Sequence, residues 1–199
     1  MKILFLFIVG FTLSITTQAQ LEQGTWLVGG SGSFKKYKRD FQTPTATVFY
    51  KDTRITISPS VGYFLADKFV LGLVPSYTKE KSFSTGFIGN ASGGYGDYER
   101  IDFGAFSRYY FLKKESNYNL LMDVSYAYNI VRNSRSKTGN GYNYKLMVGP
   151  EFFLNSSVGI EILLGYSANK QKTYTGFDYN VNDRGFLTSV GFQFHLEKK

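Results

Sequence analysis

The sequence predicts an all-β protein: an eight-stranded antiparallel up-and-down transmembrane β-barrel. Three observations lead there. Segments with period-two alternation recur along the chain, and one face of each is almost wholly apolar. The connections between segments alternate between long and short. Charges fall on the opposite face of the segments, whereas a soluble barrel would carry them outside. The apolar faces are too many for one soluble core. Closed on itself, such a sheet presents its apolar side to lipid and leaves no unpaired backbone edge in hydrocarbon.

The 199 residues suffice for one barrel. Aromatic residues make up 18%, with 16 Tyr, 19 Phe and 21 Gly, which suits curved strands carrying interface girdles. The absence of Cys excludes disulfides, thiol catalysis, thiolate metal sites and a lipoprotein anchor. The formal charge of +8 raises nucleic acid as a partner. However, the basic residues sit in inter-strand segments such as Lys35-Lys36-Tyr37-Lys38-Arg39, so a rim facing solvent or lipid headgroups is expected and no nucleic acid. Residues 1–19 read as a secretory signal: Lys2, an apolar run over 3–15, and the small-x-small site Thr17-Gln18-Ala19. That leaves 20–199 as the barrel domain. No later run reaches the roughly 18 apolar residues of a membrane helix.

The first strand covers 25–34, with Trp26, Val28 and Phe34 outward and Ser31 and Ser33 inward. A basic loop fills 35–53, within which 45–50 could extend the hairpin beyond the membrane. The second strand is 54–65, with Ile55, Ile57, Val61 and Leu65 outward. Pro59 removes a ladder donor there and predicts a bulge. A tight turn at 66–68 leads to the third strand, 69–78. Residues 79–98 are glycine-rich, lack the strand–GxxxxGK–helix context of a phosphate cradle, and read as a mobile surface loop.

The fourth strand, 98–111, turns Ile101, Phe103, Ala105, Tyr109 and Phe111 outward. A turn at 112–117 joins it to the fifth, 118–131, whose even-numbered positions face out. Residues 132–141 read as a loop, 142–154 as the sixth strand, 155–157 as a turn and 158–168 as the seventh strand. A loop at 169–184 precedes the last strand, 185–196, where Phe186, Thr188, Val190, Phe192, Phe194 and Leu196 share one face. Each strand meets the roughly 9–11 residues a tilted strand needs to cross a bilayer. Outward aromatics cluster toward strand ends, as at Tyr109 and Phe111, Tyr126 and Tyr128, and Tyr166, in the manner of interface girdles.

The inward charges are Arg100, Asp102, Arg108, Asp123, Lys145, Glu151 and Glu161. An eight-stranded interior is only wide enough for side chains to fill it, and isolated buried charges are costly. These groups are therefore expected to pair as a lumen charge network. By distance from the strand ends, Arg108 should share a level with Glu151 and Glu161. Such a network either plugs the lumen or lines a gated ion path. Ser189 and His195 both point inward on the last strand, six residues apart. No catalytic residue, cofactor or metal is expected.

Ser189, Gly191, Phe194 and Leu196 match the assembly signal of outer-membrane barrels: a polar residue, Gly two later, and hydrophobic residues at +5 and +7. The chain departs from that pattern in adding Glu197-Lys198-Lys199 where such proteins often end on an aromatic. With its strand pattern, the mature chain resembles the small outer-membrane proteins of the OmpA/OmpX-like β-barrel superfamily. The signal ending Gln18-Ala19-Gln20 and the strands rich in Tyr, Phe, Asn and Lys are similar to its Bacteroidetes members. The resemblance implies the outer membrane of a Gram-negative bacterium, with outer-membrane lipid and the barrel-assembly machinery as partners and an extracellular partner reached through the loops. It implies a non-enzymatic structural or surface-interaction role. The alternatives are a narrow channel for ions or small hydrophobic molecules and a lipid-modifying enzyme.

Overall fold

The computed structural model describes residues 21–43, 46–85, 95–113, 116–133, 136–175 and 177–196. Within these, side chains are described except at 35–50, 84–85, 95, 133, 136–138, 173–175, 177–181 and 183. The expected signal over 1–19 and the tail after Leu196 lie outside the described residues. So do the central residues of the glycine-rich stretch, 86–94.

Nine segments follow one another: β1 Trp26–Thr43, β2 Ala46–Ala66, β3 Phe69–Leu73, β4 Ser76–Thr85, β5 Tyr95–Tyr110, β6 Tyr118–Asn133, β7 Ser136–Phe153, β8 Val158–Thr175 and β9 Phe177–Leu196. All pairings are antiparallel, and β1 closes the cylinder against β9. β3 and β4 both lie between β2 and β5, so they are two lengths of one stave and the barrel has eight.

The expected bulge at Pro59 is not there. Val61 pairs with Leu73 and Ile57 with Tyr77, in one register on either side, which sets Pro59 against Pro75. Two residues without an N–H face each other, so the ladder lapses without slipping. The β1–β2 ladder runs straight through Pro59, and the register shift in β2 falls between Phe64 and Ala66.

The expected long connections are mostly strand. Residues 35–43, 46–53, 79–85, 95–97, 132–133, 136–141, 169–175 and 177–184 all lie in strand segments. At 16 to 21 residues, β2 and β5–β9 outrun the roughly 9–11 residues that a bilayer needs. Beyond the lipid the outer face no longer has to be apolar, so the alternation that marks a strand fades while its hydrogen bonds continue.

The membrane zone keeps its alternation. Phe103, Val124, Leu146, Val148, Ile162, Leu164 and Val190 are exposed on the outside of the cylinder. Two aromatic belts bound this zone. At the short-turn rim Trp26 meets Tyr63 at 5.1 Å, and Tyr109 meets Phe111 at 5.2 Å. At the other rim Tyr126 and Tyr142 stack at 5.7 Å, and Tyr166 meets Phe186 edge-on at 5.7 Å.

The interior is not polar throughout. At the short-turn end Leu27, Phe64, Val70, Tyr110, Leu121 and Phe153 form a buried apolar layer. Leu21 joins it at 0% exposure. The segment before β1 turns across the mouth to place it: the N–H of Lys68 donates to the Leu21 carbonyl at 2.8 Å, and that of Gly24 to the Phe64 carbonyl at 3.0 Å.

Candidate functional site

Directly above that apolar layer lies the Arg108 cluster. β5, β6, β7 and β8 are adjacent staves, and one inward residue from each reaches the same level. Arg108 and Asp123 are opposite one another across β5 and β6, as are Glu151 and Glu161 across β7 and β8. Arg108 bridges the two pairs. Its Nε donates to Asp123 Oδ2 at 3.1 Å, and its Nη1 lies 2.8 Å from Glu161 Oε2 and 4.0 Å from Glu151 Oε2. One guanidinium therefore offsets the repulsion of two carboxylates set directly opposite. The Tyr110 hydroxyl donates to Glu151 Oε2 at 2.8 Å, and His195 Nε2 lies 2.8 Å from Glu151 Oε1. The guanidinium is 5% exposed, and the side chains of Glu151 and His195 are both at 0%.

Two glycines make room for these carboxylates. A Cβ at Gly159 would overlap the Glu151 carboxylate, and one at Gly191 would press on Glu161. Glycine is required there because the acid groups lie flat against neighbouring backbone.

The inward charges form two layers rather than one network. In the outer layer Arg100 Nε donates to Asp102 Oδ2 at 3.0 Å, and the Ser76 hydroxyl donates to the same oxygen at 3.0 Å. Lys145 faces the space between, with Asp102, Arg100 and Asp123 as its charged neighbours. A cavity of about 70 Å³ separates the layers, lined in part by Arg108, Asp123, Lys145, Glu161 and Ser125. Higher still, polar pairs fill the lumen: Asn129 with Asn169 at 2.9 Å, Tyr98 with Gln171 at 2.8 Å, and Arg54 with Glu80 at 2.6 Å.

Sequence reasoning missed His195, Tyr110 and the apolar layer as parts of this closure. The signal was present. At the short-turn ends the alternation lapses into apolar pairs: Phe64-Leu65, Phe69-Val70, Tyr109-Tyr110, Leu120-Leu121 and Phe152-Phe153. In each pair one member faces lipid and the other faces the lumen. Asp52 and Glu80 were missed because the strands carrying them run farther than the apolar pattern shows, and Arg54 because it stands at the very start of the expected second strand.

Ser189, Gly191, Phe194 and Leu196 lie on β9 where it closes the barrel. Phe194 and Leu196 face outward opposite Val28 and Trp26 of β1, and Gly191 stands beside Glu161 in the lumen. Ser189 faces inward and pairs with Leu163. His195 is held among the rings of Phe64, Tyr110 and Phe153 with its Nε2 on Glu151.

No protein-family model matches the chain, and no curated protein matches its sequence. Solved structures do. The outer membrane protein OprG from Pseudomonas aeruginosa superposes with a TM-score of 0.60 at 13% identity, over 92% of this chain and 100% of that one. The fold is that of a small outer-membrane β-barrel. Neisserial surface protein A aligns with a TM-score of 0.51 at 15% identity, over 86% of this chain and 97% of that one. At these identities the likeness concerns the fold alone. The lumen cluster is therefore read from this chain's own residues.

Proposed function

We propose that this chain is a non-enzymatic integral outer-membrane protein with a structural or surface-interaction role and a plugged lumen. The observation that carries the proposal is the double closure at the short-turn end. The Arg108 cluster spans the cylinder from β5 to β9, and the Leu21–Phe64–Tyr110 layer seals it from below. A path for solute would have to part buried ion pairs and leave each charge without its partner. The signal-like start at 1–19 and the barrel fold support the outer membrane of a Gram-negative bacterium. The pairing of His195 with Glu151 leaves its Nε2 unavailable to activate Ser189, which argues against a hydrolytic role.

The expected partners belong to the same proposal. Ser189, Gly191, Phe194 and Leu196 are the residues for the barrel-assembly machinery, and the strand extensions beyond the outer aromatic belt are the surface for an extracellular partner. The Bacteroidetes assignment rests on the signal ending and on strand composition. Planar-bilayer recording tests the closure. The purified protein should show no sustained conductance, and steady open channels would refute the plug. A second reading, a narrow ion channel, is favoured by the polar cavity between the two charge layers. Sustained conductance that responds to substitution at Lys145 would be its signature.

A further inference from the structure

The seam that closes the cylinder is shorter than the membrane zone it crosses. Among the described residues, β1 and β9 pair from Trp26 with Leu196 to Gly32 with Val190 and no farther. That is seven pairs, whereas a tilted strand needs about 9–11 residues to cross a bilayer. Leu196 stands at the short-turn belt opposite Trp26, and Phe186 stands in the outer belt with Tyr166. From the outer belt inward, the four residues Phe186 to Ser189 therefore have no β1 residue paired to them.

Both strands continue above this point. β1 stays paired to β2 as far as Thr43 with Ala46, and β9 to β8 as far as Thr175 with Phe177. Two hairpins thus rise side by side, each with one free edge. The side chains report the same gap. Phe186 is 90% exposed and Phe34 64%, and a side chain at Gly185, an inward position, would meet nothing within 4 Å. The Arg108 cluster lies below the gap, because Gly191, the neighbour of Glu161, still pairs with Ser31.

A free edge at this depth is costly, since hydrocarbon offers nothing to backbone N–H and C=O groups. What covers it must carry donors and acceptors at the spacing of a strand, which an acyl chain does not. Direction narrows the choice further. β1 rises from the short-turn rim and β9 descends to it, so one added strand would be antiparallel to one edge and parallel to the other. A second copy, inserted the same way and turned about an axis along the membrane normal, brings its β9 to β1 and its β1 to β9. Both new pairings are antiparallel, as in the rest of the sheet. The rotation keeps every residue at its own height, so the register of the closed part carries over. Phe34 then meets the partner's Thr188, Lys35 the partner's Leu187, and Lys36 the partner's Phe186. The contact is self-complementary and leaves no edge in hydrocarbon.

We propose that the chain forms a two-fold dimer in the membrane, β1 of each copy pairing with β9 of the other above Gly32 and Val190. The plug lies in the closed part of each copy, so the dimer does not depend on it. The chain has no Cys, so introduced cysteines report on this pairing alone. The test mixes separately purified F34C and T188C chains in equal amounts, refolds them together into lipid bilayers and oxidises them with copper phenanthroline. The mixture should give a covalent dimer on a non-reducing gel, and either variant alone far less. K35C mixed with L187C repeats the test one pair along. Neighbouring antiparallel pairs alternate in Cα separation between about 5.5 and 4.5 Å, so at least one of the two mixtures suits a disulfide. F34C mixed with L187C, out of register and on opposite faces, should give little. Folding of each variant is checked by its gel mobility before and after heating. Absence of covalent dimer from both matched mixtures of folded chains overturns the proposal. So does as much dimer in the out-of-register mixture or in a single variant, which indicates chance collision. A monomer-sized disulfide in F34C/T188C, without dimer in the mixtures, also overturns it, because the seam then zips up within one chain.

Discussion

Replacing Arg108 by Ala removes the one guanidinium among three carboxylates. Arg108 is 5% exposed and lies 3.1 Å from Asp123, 2.8 Å from Glu161 and 4.0 Å from Glu151. Breaking a buried pair by deleting one partner costs about 3–5 kcal/mol. Two features place this case near the lower end. The adjoining cavity of about 70 Å³ can admit water to Asp123 and Glu161, and Glu151 keeps Tyr110 and His195. The expected loss is therefore about 3 kcal/mol. With a urea slope of about 1–3 kcal/mol/M, the unfolding midpoint should fall by roughly 1–3 M. R108M/E151Q/E161Q should recover at least half of that, because the facing carboxylates are gone and Asp123 keeps the neighbouring charge of Lys145. The assay is urea unfolding of the barrel in lipid bilayers, followed by intrinsic fluorescence. If R108A unfolds at the parent's midpoint, the cluster is hydrated and the plug argument fails.

Leu164 and Val148 are exposed partners on adjacent strands within the membrane zone, so Arg at either should cost about 2–4 kcal/mol and lower the folded yield. Ser125→Ala, on the inner face, should cost less than either, and equal tolerance would mean the two faces are exchanged. Gly159→Ala should displace the Glu151 carboxylate and lower the urea midpoint, while G159A/E151Q should be no worse than E151Q alone if that contact is the reason. Leu21→Ala and Arg108→Ala should each stay near baseline in planar-bilayer recording, whereas the double variant should conduct, because the apolar and charged layers close the lumen in series.

The fold was legible because lipid imposes a strict rule on every outward position. From Tyr118 to Ile130 the even-numbered residues of β6 are all apolar or aromatic, and the strand could be read with its facing. The same dependence hid the strand extensions: Lys170, Lys172 and Arg184 look like loop residues because their outer face meets headgroups and water. The Pro59 expectation went astray because a single strand does not show what stands opposite. Pro75 faces it, and two absent donors leave a gap rather than a bulge. The inward charges could be found by parity, and Arg108, Glu151 and Glu161 could be levelled by counting from strand ends. Their split from Arg100 and Asp102 into a separate layer depended on stagger between staves, which the sequence does not state. His195 was visible as an inward residue, but its role follows only from the approach of β7 to β9 across the lumen.

The central claim is a cylinder with lipid outside and a dry, filled lumen at the Arg108 level. Spin labels placed one at a time from 118 to 131 along β6 test both halves at once. Even positions should collide readily with dissolved oxygen, which partitions into lipid, and odd positions from 119 to 125 should be shielded from both oxygen and a water-soluble nickel chelate. A periodic nickel signal at Asp123 and Ser125 would show an open aqueous lumen and contradict the account.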